Sequence, residues 1–182
     1  SNSPIPHLFF PVPNRYESEG LVSFGHPPPL LILAESTAPE SLAAGDSLTI
    51  GLSAEWLICR DVCKVLAGSD SLTLPVGFKQ PTPIPEHRTL FSNLRRTIAF
   101  PNPEWHFSAE TVNNHWILNV RPPPSLSAKK PEGIFFFCRQ PGVVNPSLPP
   151  ESLPFPNGWS LRIGKGLVTL SPDMRLEGIL QV

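Results

Sequence analysis

No run of apolar residues in this chain approaches the roughly 18 needed for a helix to cross a bilayer, and the apolar stretches are all of strand length. A basic block is also missing. Lys and Arg number 14 against 15 Asp and Glu, a net charge of −1, which argues against nucleic acid or an anionic membrane surface as a partner. There is no repeat of fixed period. A secretory leader pattern is not visible in the opening residues, and a start at Ser1-Asn2-Ser3 says nothing about what precedes it. Cysteine is scarce: three residues, too few for a disulfide framework and an odd number that cannot all pair within the chain.

Proline is what the chain has in excess. It makes up 25 of the 182 residues, close to three times the ordinary usage of about 5%. Such a density without a period usually goes with disorder, but here the apolar fraction is 40% and the prolines fall between short apolar runs. Proline-stiffened turns between strands fit that pattern better. The length allows one large or two small domains, with enough residues to bury a core.

The first part, residues 1–78, shows strand-like runs at Leu21 to Phe24, Leu30 to Ala34, Ser47 to Cys59 and Ser71 to Val76, separated by Pro, Gly and Ser clusters. Residues 79–103 read as a Pro-rich connector. Within it Leu90, Phe91, Leu94 and Ile98 recur at helical spacing, so a short amphipathic helix is expected over Glu86 to Ile98. Pro101 and Pro103 stop it. From 104 to 182 strands are expected at Trp105 to Ala109, Trp116 to Val120, Ile134 to Cys138, Trp159 to Ile163, Leu167 to Leu170 and Gly178 to Val182. Asn113-Asn114 and Gly164-Lys165-Gly166 read as turns between such runs, because Asn and Gly tolerate positive φ. The expected fold is all-β: two small immunoglobulin-like β-sandwich modules joined by the helical connector. Four or five strands are few for the first sandwich, whose commonest version has seven. Either the chain begins inside a domain, or another segment completes those sheets.

The most informative stretch is Ala54-Glu55-Trp56-Leu57-Ile58-Cys59-Arg60-Asp61-Val62-Cys63-Lys64. Leu48, Ile50, Leu52, Ala54, Trp56 and Ile58 alternate with more polar residues, so the cysteines sit where a long strand ends and turns. Arg60 and Lys64 flank the pair, and nearby cations favour the nucleophilic thiolate, with Asp61 opposing them. Thiol exchange at Cys59 and Cys63 is the leading expectation. A purely structural bridge is the first rival, although closing a ring of about five residues is worth only ~2 kcal/mol. A zinc site would need four ligands, and His7, His26, His87, His106 and His115 show no paired spacing. A hydrolase-type nucleophile would need a designated histidine base, which the sequence does not offer. Trp56 reads as core rather than as a reacting group. Cys138, in Phe135-Phe136-Phe137-Cys138, reads as a buried and inert thiol.

At these residues the chain resembles a family. Trp56-Leu57-Ile58-Cys59-Arg60-Asp61-Val62-Cys63 is similar to the W-L-x-C-x-x-x-C signature of the N-terminal periplasmic domains of DsbD-like and ScsB-like membrane thiol:disulfide interchange proteins. Phe9-Phe10-Pro11-Val12-Pro13 resembles the family's aromatic-Pro-x-Pro segment. Leu21 to His26 resembles its aromatic-Gly loop, and Pro29 to Ala34 the strand that follows. After the second cysteine the family commonly has Ile-Pro or Tyr-Pro, where this chain has Lys64-Val65. The helical connector, Gly133 to Phe137 and Leu176 to Val182 look like the second half of the longer, ScsB-like version.

The resemblance implies a soluble periplasmic domain of an inner-membrane protein in a Gram-negative bacterium. That domain would take reducing equivalents from the parent's membrane reductase domain and pass them to periplasmic thioredoxin-like or disulfide-isomerase-like proteins, in settings that include cytochrome c biogenesis. It implies no organic cofactor and no metal. Cys63 would attack and Cys59 resolve. Ser23, Phe24, Gly25 and His26 would form a cap over the sulfurs, with Phe24 as the lid, while a buried strand aromatic remains the alternative reading of Phe24. Trp56, Arg60, Asp61 and Lys64 would support the pair.

Overall fold

The computed structural model describes residues 6–59, 62–78, 84–127, 133–171 and 173–182. In chain order the first strands are β1 (His7–Phe9), β2 (Asn14–Ser18), β3 (Leu21–Gly25), β4 (Leu33–Glu35), β5 (Ser47–Cys59) and β6 (Cys63–Pro75). Helix α1 (Pro85–Arg96) follows, then β7 (His106–Val112), β8 (His115–Arg121), the one-turn helix α2 (Pro124–Ser127), β9 (Phe135–Cys138), β10 (Glu151–Phe155), β11 (Gly158–Gly164) and β12 (Gly178–Gln181). The fold is all-β. Its strands form small antiparallel sheets, the largest in the order β10-β11-β8-β7, with two-stranded pairs β1-β4, β2-β3, β5-β6 and β12-β9.

The chain divides into two compact units, one from Ser1–Leu8 and Leu33–Ser92, the other from Phe9–Ile32 and Asn93–Val182. The division is not a single cut along the chain, because residues 9–32 join the C-terminal unit.

The first unit is dominated by one long hairpin. β5 and β6 pair over 13 positions, from Ser47 opposite Pro75 to Cys59 opposite Cys63. The ladder runs on past its open end through Val76 N–H to Asp46 O and Gly45 N–H to Val76 O, both 2.9 Å. Strand β5 forms where the period-two pattern places it. Strand β6 begins eight residues before the expected Ser71, because Lys64 to Asp70 carries little apolar alternation of its own and is held by pairing with β5. Apolar residues from both strands share one face: Leu48, Ile50, Leu52, Ala54, Trp56 and Ile58 with Leu66, Leu72 and Leu74. The opposite face is hydroxyl-rich, and Thr49 Oγ1 and Thr73 Oγ1 meet across it at 3.0 Å. Both strands are exposed along almost their whole length, so the core position expected for Trp56 is not what the structure gives it: 44% of its surface is open.

The second unit holds the core. Leu118 and Val120 of β8 stand beside Leu161, Trp159 and Ile163 of β11, and Phe136 of β9 joins the same cluster, so the β9–β12 ribbon packs on one face of the four-stranded sheet. Gly178 is needed there because a β-carbon would collide with the Phe136 ring and the Phe137 carbonyl. Among the described residues every buried hydrophobic except Leu33 lies in this unit. The β7–β8 turn has Asn113 at φ 52°, as expected from Asn113-Asn114. Glu19 and Gly20 close β2–β3 with φ values of 52° and 78°, the two positive angles of a type I′ turn.

Some elements depart from expectation. Helix α1 ends at Arg96, two residues short of Ile98, which bridges Pro11 instead. Only the end of Leu30 to Ala34 becomes strand, after the three prolines 27–29. Leu167 to Leu170 is not a strand. Gly166 and Val168 donate to the carbonyls of Val143 and Gly142, both at 2.9 Å, which ties this segment to an irregular turn and leaves Leu167 wholly exposed. Strands β2 and β10 were not expected, since Asn14–Ser18 is polar and Glu151–Phe155 contains Pro154. Strand β10 lies at a sheet edge, where a missing N–H is tolerated.

Candidate functional site

Cys59 is the last residue of β5 and Cys63 the first of β6, and their register makes them direct cross-strand partners. They form a disulfide, with Cα atoms 4.0 Å apart. Thirteen paired positions bring the strand ends together, so the hairpin itself delivers the sulfurs to each other. Both cysteines are exposed. The bridge therefore stands at the solvent-facing tip of a ribbon, open to a second protein.

Alternation settles which side chains accompany it. Leu57 and Val65, paired two positions down, share the face of the cysteines and expose 64% and 62% of their surfaces. Glu55 and Ala67 come next on that face, and beyond them it is polar. Residues adjacent in sequence face the other way. Lys64 and Ile58 thus lie opposite the sulfurs, on the apolar face with Trp56. Of the residues expected to support the pair, Trp56 and Lys64 occupy that other face, and Arg60 and Asp61 lie outside the described residues. Leu57 and Val65 were not singled out from the sequence. The period-two pattern that groups Leu57 with Cys59 was the available signal.

Ser23, Phe24, Gly25 and His26 belong to the other unit. Phe24, in β3, sets its ring edge-on against Phe135 and Phe137 at centroid distances of 5.9 and 5.3 Å, and keeps 43% of its surface exposed. His26 stacks on Phe10 at 6.4 Å, and its Nδ1 is buried without a hydrogen-bond partner.

Cys138, at the end of β9, carries a free thiol that is half-buried and directs its Sγ to the Gln140 carbonyl oxygen at 3.4 Å. Burial pushes its pKa above the ordinary cysteine value, and the Gln140 hydrogen bond only partly offsets this. The thiolate is disfavoured at neutral pH, as an unreactive cysteine requires. The thiol borders a cavity of about 240 Å³ also lined by Phe24, Phe135, Phe136, Leu148 and Ile163. Among the described residues no three His, Cys, Asp or Glu side chains cluster as metal ligands would. Among them, too, no helix is long and apolar enough to cross a membrane.

Comparison of the chain with protein-family models, with curated proteins and with solved structures finds no match.

Proposed function

We propose that the chain is a periplasmic thiol:disulfide exchange domain that relays reducing equivalents through Cys59 and Cys63. The observation that carries this reading is the exposed disulfide at the tip of the β5–β6 hairpin, flanked by the exposed apolar pair Leu57 and Val65. An attacking thiolate needs in-line access to a sulfur, and an apolar collar beside it suits a transient protein contact. The resemblance in Trp56 to Cys63 supplies the direction of transfer. A membrane reductase domain reduces the bridge, and the thiolate of Cys63 then attacks the disulfide of a thioredoxin-like or isomerase-like acceptor. A mixed disulfide forms as one acceptor thiolate leaves. Cys59 attacks Cys63 in turn, the second acceptor thiolate leaves, and two electrons and two protons have passed to the acceptor. No organic cofactor is needed.

A second reading has its own support. The bridge joins the two strands at one end of a 13-position ladder, where it acts as a register clamp on an otherwise open ribbon. In that case the domain is a non-catalytic interaction module with a structural disulfide.

The reduction potential of the pair separates the two. The relay reading expects a value within the range of exchange proteins, about −120 to −270 mV. A value well below about −300 mV would assign the bridge to the clamp.

A further inference from the structure

The face of the β5–β6 hairpin that looks away from the cysteines is apolar and uncovered. Ile50, Leu52, Trp56, Ile58, Leu66 and Leu72 each expose between 40% and 62% of their surfaces. Thirteen paired positions make a strip roughly 40 Å long and 10 Å wide at ordinary strand spacings. Apolar patches on that scale mark interfaces, and a two-stranded ribbon alone is marginally stable in water.

We propose that the tip half of this face, Leu52 to Ile58 with Lys64 to Asp70, is covered by the same segment of a second copy of the chain, packed across a two-fold axis that lies in the interface and crosses β6 at the level of Ala67. The pattern of charge on the face points to that occupant. Two charged residues interrupt the apolar face, Lys64 opposite Ile58 and Asp70 opposite Leu52, three positions either side of Ala67. A half-turn about the axis sets Lys64 over the partner's Asp70 and Asp70 over the partner's Lys64. The same rotation sets Ile58 over the partner's Leu52, and Leu66 over the partner's Gly68, across which the partner's Trp56 indole lies, so apolar side chains meet at the centre. Apolar contact between inner faces is how two sheets pack face to face. An axis running along the strands instead places Lys64 over the partner's Ile58 and Asp70 over the partner's Leu52, where neither meets a charge of opposite sign, at a desolvation cost. The result is a four-stranded, two-layer sandwich built from two hairpins. Its outer faces carry the Cys59–Cys63 bridges, so the dimer neither requires nor blocks thiol exchange.

Sedimentation velocity of the oxidised chain across the micromolar range tests this. The wild type should show a concentration-dependent monomer–dimer equilibrium. Lys64→Asp and Asp70→Lys, each of which sets like charges together, should weaken association by about tenfold or more. The double exchange Lys64→Asp/Asp70→Lys should restore it, which also shows that the single variants failed for electrostatic and not folding reasons. A wild-type chain that stays monomeric throughout overturns the proposal and leaves the face to a different occupant. A dimer indifferent to both single variants overturns it as well.

Discussion

The indole of Trp56 lies across Gly68, its diagonal neighbour on the facing strand, with Cη2 3.3 Å from the point where a β-carbon on residue 68 would stand. Glycine in a strand interior ordinarily weakens it, and often marks a place where something packs close to the backbone. Here that something is the largest side chain of the hairpin.

Gly68→Ala should be nearly neutral, within ~0.5 kcal/mol, because a half-exposed ring can move a few tenths of an ångström while alanine restricts the unfolded chain. Gly68→Val should push the indole into solvent. A red shift in tryptophan emission with Val and none with Ala checks the contact, and equal spectra in the two variants would refute it.

Removing the bridge should loosen the hairpin from its tip. Cys59→Ser/Cys63→Ser is expected to cost ~2 kcal/mol on the loop-closure view. Hydrogen exchange should accelerate across residues 47–75 and stay unchanged in β8 and β11, whose core is elsewhere. Exchange that speeds up equally in both units would mean that the bridge stabilises more than its own ribbon.

Cys138 should be slow to react in the native protein. Burial raises its pKa, so the thiolate fraction at a given pH is below that of a free cysteine, and native alkylation should reach half its limiting rate at a higher pH than that of the unfolded chain. After mild reduction, labelling at neutral pH should mark two thiols promptly and a third on unfolding. Prompt native labelling of Cys138 would remove the assignment of redox activity to Cys59 and Cys63 alone.

Phe24→Ala should destabilise the chain by roughly 1–2 kcal/mol, below the 3–5 kcal/mol of a fully buried phenylalanine. The ring is partly exposed and makes edge contacts with Phe135 and Phe137. Thermal unfolding measures that cost. The oxidation rate of the reduced cysteine pair, measured on the same variant, reads the lid role separately: faster oxidation assigns Phe24 a capping function, and an unchanged rate assigns it to packing.

Where a segment's own pattern was strong, the sequence determined the element. The alternation from Leu48 to Ile58 sets β5 with both its ends, the helical spacing of Leu90, Phe91 and Leu94 sets α1, and Asn113 sets the β7–β8 turn, each through interactions within a few residues. The cysteine pair was legible for the same reason, since a strand ending at Cys59 and a three-residue gap leave the second thiol close at hand. Tertiary structure decided the rest. Lys64 to Asp70 became strand through pairing with β5, and Asn14–Ser18 through pairing with β3; Leu167 to Leu170 lost its strand to hydrogen bonds with Gly142 and Val143. The grouping of residues 9–32 with the C-terminal unit likewise depends on contacts distant in sequence. So does the fate of the two apolar faces. Identical alternation in β5 and β8 leaves Trp56 open to solvent and buries Leu118, because a period of two specifies which residues share a face and not what is laid against it.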